Sequence, residues 1–158
     1  MRAALIAGLL VAGQPLAQLG SMDAPVRAKQ HVAYVAEAQT VAAGKRAVLE
    51  VRFHVEDGFH VNSHTPKSEL LIGTDLELGA SAGVKAAAME YPAGKLYVLS
   101  FDPTEKLDVY TDDFTVKVPV TATAGEHELK GQLTYQACDR AACYPPRTLA
   151  VDVLFTAK

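Results

Sequence analysis

The 158-residue chain has no tryptophan and only two cysteines, and aromatic residues make up 7% of it. Without a Cys…Trp…Cys spacing it lacks the core signature of an antibody-type domain. No C-x-x-C occurs. Past the N-terminus no apolar run reaches 18 residues, so no later segment reads as a membrane span. Long charge blocks, internal repeats and low-complexity tails are also missing. The formal net charge is −3, and that mild acidity argues against nucleic acid or anionic membrane surfaces as partners. With no phosphate loop and no dinucleotide fingerprint, no cofactor is expected. No amphipathic stretch is long enough to make a helix convincing.

What is present begins with a leader. Arg2 forms a short positive region, Ala3 to Ala12 an apolar one, and small residues follow. Residues 1–17 therefore read as a secretory signal peptide, too short to span a bilayer, with cleavage after Val11-Ala12-Gly13 or Pro15-Leu16-Ala17. No cysteine follows the apolar region to take a lipid anchor. Removing Arg2 with the leader makes the mature chain one unit more acidic. Residues 18–30 read as a flexible lead-in, and 31–158 as a single domain. Export would place the cysteines in an oxidising compartment.

From His31 the pattern is that of strands. Ala47, Leu49, Val51, Phe53 and Val55 alternate with Val48, Glu50, Arg52 and His54, the period of a half-buried strand. Glu56-Asp57-Gly58 supplies turn chemistry, and Phe59 to Asn62 starts the return. Leu76 to Leu78 and Val84 to Tyr91 are weaker strands, the alanines at 86 to 88 suiting a helical turn equally well. Phe114, Val116, Val118 and Val120 alternate, as do Leu133, Tyr135 and Ala137, and then Leu149, Val151, Val153 and Phe155. Short strands punctuated by Gly, Pro and Asp predict an all-β fold, an antiparallel β-sandwich of seven or more strands.

Both cysteines fall in one stretch, Thr134 to Thr148, reading TYQACDRAACYPPRT. A disulfide between Cys138 and Cys143 would close a loop of about six residues, for roughly 2 kcal/mol of chain entropy against nearly 5 for a loop of ~100 residues. A domain of this length also buries a core without such help. The pair is therefore poorly placed as a staple. Thiol–disulfide exchange instead needs a reachable thiolate with a second cysteine close enough to resolve the mixed disulfide, and four intervening residues allow it. Asp139 and Arg140 pull the thiol pKa in opposite directions. Pro145 and Pro146 remove two backbone donors after Cys143, ending strand pairing there and keeping the rim open. A local structural disulfide remains the alternative.

The same string resembles the N-terminal periplasmic domain of the bacterial thiol:disulfide interchange protein DsbD. The residues that carry the resemblance are Tyr135, Gln136, Cys138, Cys143, Tyr144, Pro145 and Pro146, with GFHVNSHTP from Gly58 to Pro66 and Tyr91-Pro92-x-Gly94-Lys95 upstream. It covers roughly Val32 to Phe155. The resemblance implies an immunoglobulin-like sandwich that relays reducing equivalents in the periplasm. Its implied partners are thioredoxin-fold proteins and a separate membrane-linked reductant, and a monomer is expected. Cys143 would make the intermolecular bond and Cys138 would resolve it. Phe101, in Ser100-Phe101-Asp102-Pro103, matches the phenylalanine of the family's cap loop, and Phe59, His60, Asn62 and Tyr144 fall on the same rim. The intercysteine loop is a residue shorter than the family's, and Asp102-Pro103 stands where aromatic residues often follow the cap phenylalanine. The chain ends at Lys158 without the family's membrane and thioredoxin domains, so a separate protein is expected to reduce it.

Two other readings come from the residues alone. The first is a secreted immunoglobulin-like binding or assembly module with a purely structural disulfide. The second is a metal-handling protein using His54, His60 and His64, whose spacing matches no recognised ligand pattern, so no metal is expected.

Overall fold

A computed structural model describes residues 29–68, 70–99 and 104–158. The proposed leader, most of the lead-in and Phe101 lie outside these residues. The described chain is all strand and loop, with no helix long and apolar enough to cross a membrane. Twelve strands follow in order: β1 (Val32–Val35), β2 (Gln39–Val41), β3 (Arg46–Val55), β4 (His60–Asn62), β5 (Asp75–Leu78), β6 (Val84–Ala86), β7 (Lys95–Val98), β8 (Lys106–Tyr110), β9 (Asp113–Ala122), β10 (Gly125–Tyr135), β11 (Ala137–Cys138) and β12 (Arg147–Ala157).

Two four-stranded sheets, β1-β3-β9-β6 and β2-β12-β10-β5, form an immunoglobulin-like sandwich. Their inner faces follow from the sequence alternation. Leu49, Val51, Phe53 and Val55 of β3 are fully buried while Glu50, Arg52 and His54 face out, and Val116 and Val118 of β9 complete that face. Opposite them, Leu129 and Leu133 of β10 and Val151, Val153 and Phe155 of β12 point into the same core. Each such buried side chain contributes about 1.5–3 kcal/mol relative to exposure, so these four long strands dominate the stability. Pairing is antiparallel with one departure from the sequence expectation: β2 runs parallel to β12, with Phe155 opposite Gln39.

A third sheet, β11-β4-β8-β7, lies against one end of the sandwich and joins its core through Val61, Tyr110 and Ala137. Here the structure differs from the sequence reading. After Glu56-Asp57-Gly58, where Gly58 takes φ 83°, the chain does not fold back along β3. Instead β4 pairs with β8, Val61 opposite Tyr110. The strand from Val84 stops at Ala86 and makes no helical turn; Glu90 returns only as a single bridge to Lys117. Chain crossing between layers sets the cysteines' position. Tyr135 still pairs with Arg147 of β12, but two residues later Ala137 and Cys138 pair with Val61 and His60 of β4.

Candidate functional site

The loop between β11 and β12 is built around one carboxylate. Asp139 Oδ1 accepts hydrogen bonds from the backbone N–H groups of Ala141 and Ala142, at 2.7 and 2.8 Å, and Oδ2 accepts one from the Tyr144 hydroxyl at 2.8 Å. The Asp139 N–H donates to the Ala142 carbonyl at 2.9 Å, closing the turn. Aspartate at the head of a tight turn does this because its short side chain reaches the backbone two and three residues on. Those donors, the Ala141 N–H foremost, hold the Asp139 carboxyl below the ordinary value, and the hydrogen bond that the Tyr144 hydroxyl donates to Asp139 in turn pushes the phenol up.

The turn returns Cys143 opposite Cys138 as an antiparallel bridge, with the Cα atoms 3.9 Å apart and the two sulfurs bonded. The two ends of the bond differ. Cys138 is 2% exposed, whereas Cys143 stands open to solvent. Beside them opens a cavity of about 280 Å³, walled by both cysteines, Asp139, His60, Leu71, Leu107 and the chain at Leu99 and Glu105.

The rim residues expected from sequence fall into three settings. Phe59 stacks on His31 with ring centroids 3.8 Å apart, and Tyr144 closes on both at 5.9 and 5.2 Å. Together they form an aromatic wall behind the Cys143 arm. His31 is fixed there by Glu56, its Nδ1 lying 2.7 Å from Oε2. His60 lies on the other side, directly across the strand pair from Cys138 and 1% exposed, with Tyr97 against its ring at 4.2 Å. Burial lowers its pKa, and Asp139 opposes that shift. Asn62 is fully buried, but its amide is turned away from the cavity. Its Nδ2 donates to the Ile72 carbonyl at 2.9 Å, while the backbone carbonyl of Asn62 accepts from the Thr74 hydroxyl at 2.6 Å. It anchors the 63–74 loop, whose Leu71 reaches the cavity wall. Phe101 lies outside the described residues, between Leu99 and Glu105.

The three histidines weighed as metal ligands are not brought together. His54 pairs with Asp113, His60 is enclosed next to Cys138, and His64 stacks on Tyr91 and meets the Thr74 carbonyl. Among the described residues no cluster of three or more His, Cys, Asp or Glu side chains is placed to hold a metal. Sequence reasoning missed His31, Tyr97 and the organising part of Asp139. The first two gain their places from strand pairing across long separations, which no local pattern records. Asp139 carried a usable signal, an Asp opening a short loop.

Comparison with known proteins adds the following. The family model described as thiol:disulfide interchange protein DsbD, N-terminal, matches residues 29–154. No curated protein sequence matches the chain. Among solved structures, the N-terminal periplasmic domain of ScsB from Proteus mirabilis aligns at a TM-score of 0.50 and 10% identity, covering 77% of this chain. The chain spans only 44% of that ScsB structure. The Neisseria meningitidis DsbD N-terminal domain in its reduced form is 21% identical over 69% of this chain and 81% of its own, with a TM-score of 0.39. A complex between the DsbD and PilB N-terminal domains from the same organism gives 20% identity over 66% of this chain and 73% of that one, with a TM-score of 0.44.

Proposed function

Because the chain belongs to the family of thiol:disulfide interchange protein DsbD N-terminal domains, we propose that it is a periplasmic thiol–disulfide exchange module. In this reading it is a protein-disulfide reductase relay that passes reducing equivalents between thioredoxin-fold proteins through Cys138 and Cys143. The observation that carries the reading is the asymmetry of the bonded pair. An exposed Cys143 and a buried Cys138 share one cavity wall, which is what a two-step exchange requires. The loop is already held by the Asp139 hydrogen bonds, so the short-loop disulfide has little left to stabilise as a staple.

The chemistry follows from thiolate attack on disulfide sulfur. In the dithiol form the Cys143 thiolate attacks one sulfur of an oxidised partner. The partner's disulfide breaks, its second sulfur leaves as a thiolate, and a Cys143–partner bond forms. The Cys138 thiolate then attacks Cys143 Sγ. The Cys138–Cys143 bond forms, the mixed bond breaks, and the partner departs with both cysteines reduced. Two electrons pass to the partner, and the two protons of the original dithiol pass to its sulfurs or to solvent. A donor dithiol, supplied by a membrane-linked reductant, reverses the sequence by attacking the exposed Cys143.

Phe59 and Tyr144 form the aromatic rim against which a partner docks, and Phe101 caps the pair. The cap reading is supported by Leu99 and Glu105, on either side of Phe101, both lining the cysteine cavity. Phe101→Ala should speed reduction of the pair by small thiols, and an unchanged rate would remove the cap from the account. The exchange reading itself is tested by mixing reduced Cys138→Ala protein with an oxidised thioredoxin-fold protein. A mixed disulfide should accumulate through Cys143 and dissolve on adding dithiothreitol. Absence of any adduct would overturn the proposal.

A further inference from the structure

The resolving step places a demand on Cys138 that the cysteines alone do not meet. Its sulfur is enclosed, and a thiol in apolar surroundings resists ionisation, yet only the thiolate can attack. A proton acceptor must therefore lie within the same enclosure. His60 is the cross-strand partner of Cys138 in the β4–β11 pair, so the two side chains leave the sheet on one face with Cβ atoms about 4.5–5.5 Å apart. The imidazole is 1% exposed and borders the cysteine cavity. Its Nε2 is buried without a hydrogen-bond partner among the described residues. An enclosed polar nitrogen left unpaired is costly, and in this place it has a use. We propose that His60 is the proton acceptor that converts the Cys138 thiol into the thiolate that resolves the mixed disulfide. This rests on the exchange reading above.

In the step, the Cys138 S–H proton moves to His60 Nε2 while Cys138 Sγ attacks Cys143 Sγ. The bond between Cys143 and the partner sulfur breaks, and the leaving partner thiolate takes the proton from the imidazolium or from solvent. The base is regenerated, with two electrons transferred and none left over. Burial favours the neutral imidazole needed as acceptor. On the cysteine side the other titratable groups are Asp139 and Glu105. Asp139 favours the imidazolium once it forms. Tyr97 lies against the ring at 4.2 Å, and His60 and Tyr97 together border a second cavity whose charged lining is Glu56, Asp57, Asp112 and Arg140.

The test uses the reduced full-length protein and dithiobis(nitrobenzoate), whose coloured thiol is released twice. The first release reports attack by Cys143 and the second reports resolution by Cys138. If His60 takes the proton, the second phase in the wild type is flat between about pH 6.5 and 8, because proton transfer inside the pair is independent of bulk pH. It falls only on the acid side of that range, since burial lowers the imidazole's pKa from its ordinary value. His60→Gln should slow that phase at least about tenfold at pH 7 and give it a slope of ~tenfold per pH unit, a much larger effect than on the first phase. A His60→Gln protein that resolves at the wild-type rate with the same profile would overturn the assignment. Should the variant not fold, the wild-type profile still decides: a second phase rising tenfold per unit from about pH 5 to 8 with no plateau overturns it equally. If the folded wild type releases no coloured thiol at all, the exchange reading itself falls, an outcome distinct from slow resolution alone.

Discussion

The two-sheet sandwich and the third sheet solve the same problem by different means. In the sandwich, strands of ten and eleven residues pair along nearly their whole length, and the core is mostly Val, Leu and Phe, with Ala122, Ala157 and the fully buried Tyr135 among them. In the third sheet the strands run two to five residues. Polar groups hold much of that region. Asn62 bonds Ile72, the Tyr110 hydroxyl donates to the Pro92 carbonyl and accepts from the His64 N–H, and Asp139 folds the cysteine loop. Apolar burial is tolerant of direction and gives a rigid scaffold; hydrogen-bonded loops fix individual atoms. The disulfide-bonded pair sits where the chain passes from the first kind of order to the second.

The comparison can be sharpened by substitutions on either side of it. Cys143→Ser should abolish exchange, by more than about a thousandfold in single-turnover reduction of an oxidised partner, while leaving the thermal transition close to that of the reduced wild type. Phe53→Ala, in the sandwich core, should do the reverse. The fully buried ring makes the loss about 3–5 kcal/mol by denaturant titration, with exchange intact wherever the protein remains folded. Asn62→Ala should cost less, about 1–3 kcal/mol, and raise hydrogen exchange selectively in the 63–74 loop. Equal loss of protection throughout the sandwich would mean that the two regions are one cooperative unit.

A smaller effect concerns pH. Burial keeps the His60 pKa below its ordinary 6.5 in the folded protein, so the unfolded chain takes up the proton first. The stability owed to this group is therefore whole above about pH 6.5 and declines as the pH drops through and below that value. Urea titrations at several pH values should show a steeper acid-side decline in the wild type than in His60→Gln. Matching slopes would show that His60 does not titrate between the folded and unfolded states.

Legibility in the sequence divides along the same line. The scaffold could be read because Leu49, Val51, Phe53 and Val55 alternate with charged and polar neighbours, and one buried face is all that such a strand encodes. The third sheet left little trace. His60, Val61 and Asn62 are all buried, so β4 has no alternation, and nothing local reveals that it pairs with β8 rather than β3. The parallel β2–β12 pair escaped notice for the same reason. At the site, the cysteine string and the Phe59-His60 segment were legible through family resemblance. That Asn62 would turn toward Ile72, and that His31 and Tyr97 would stand beside Phe59 and His60, depended on strand pairings fixed only by the whole fold.

The most direct test of the central claim is the reduction potential of the Cys138–Cys143 couple, measured by equilibration with glutathione redox buffers. A working relay should lie between about −120 and −270 mV, the span of thioredoxin-fold proteins with which it would trade electrons. A value below about −300 mV, where structural disulfides lie, would contradict the account and leave the bond as a fastening of the loop.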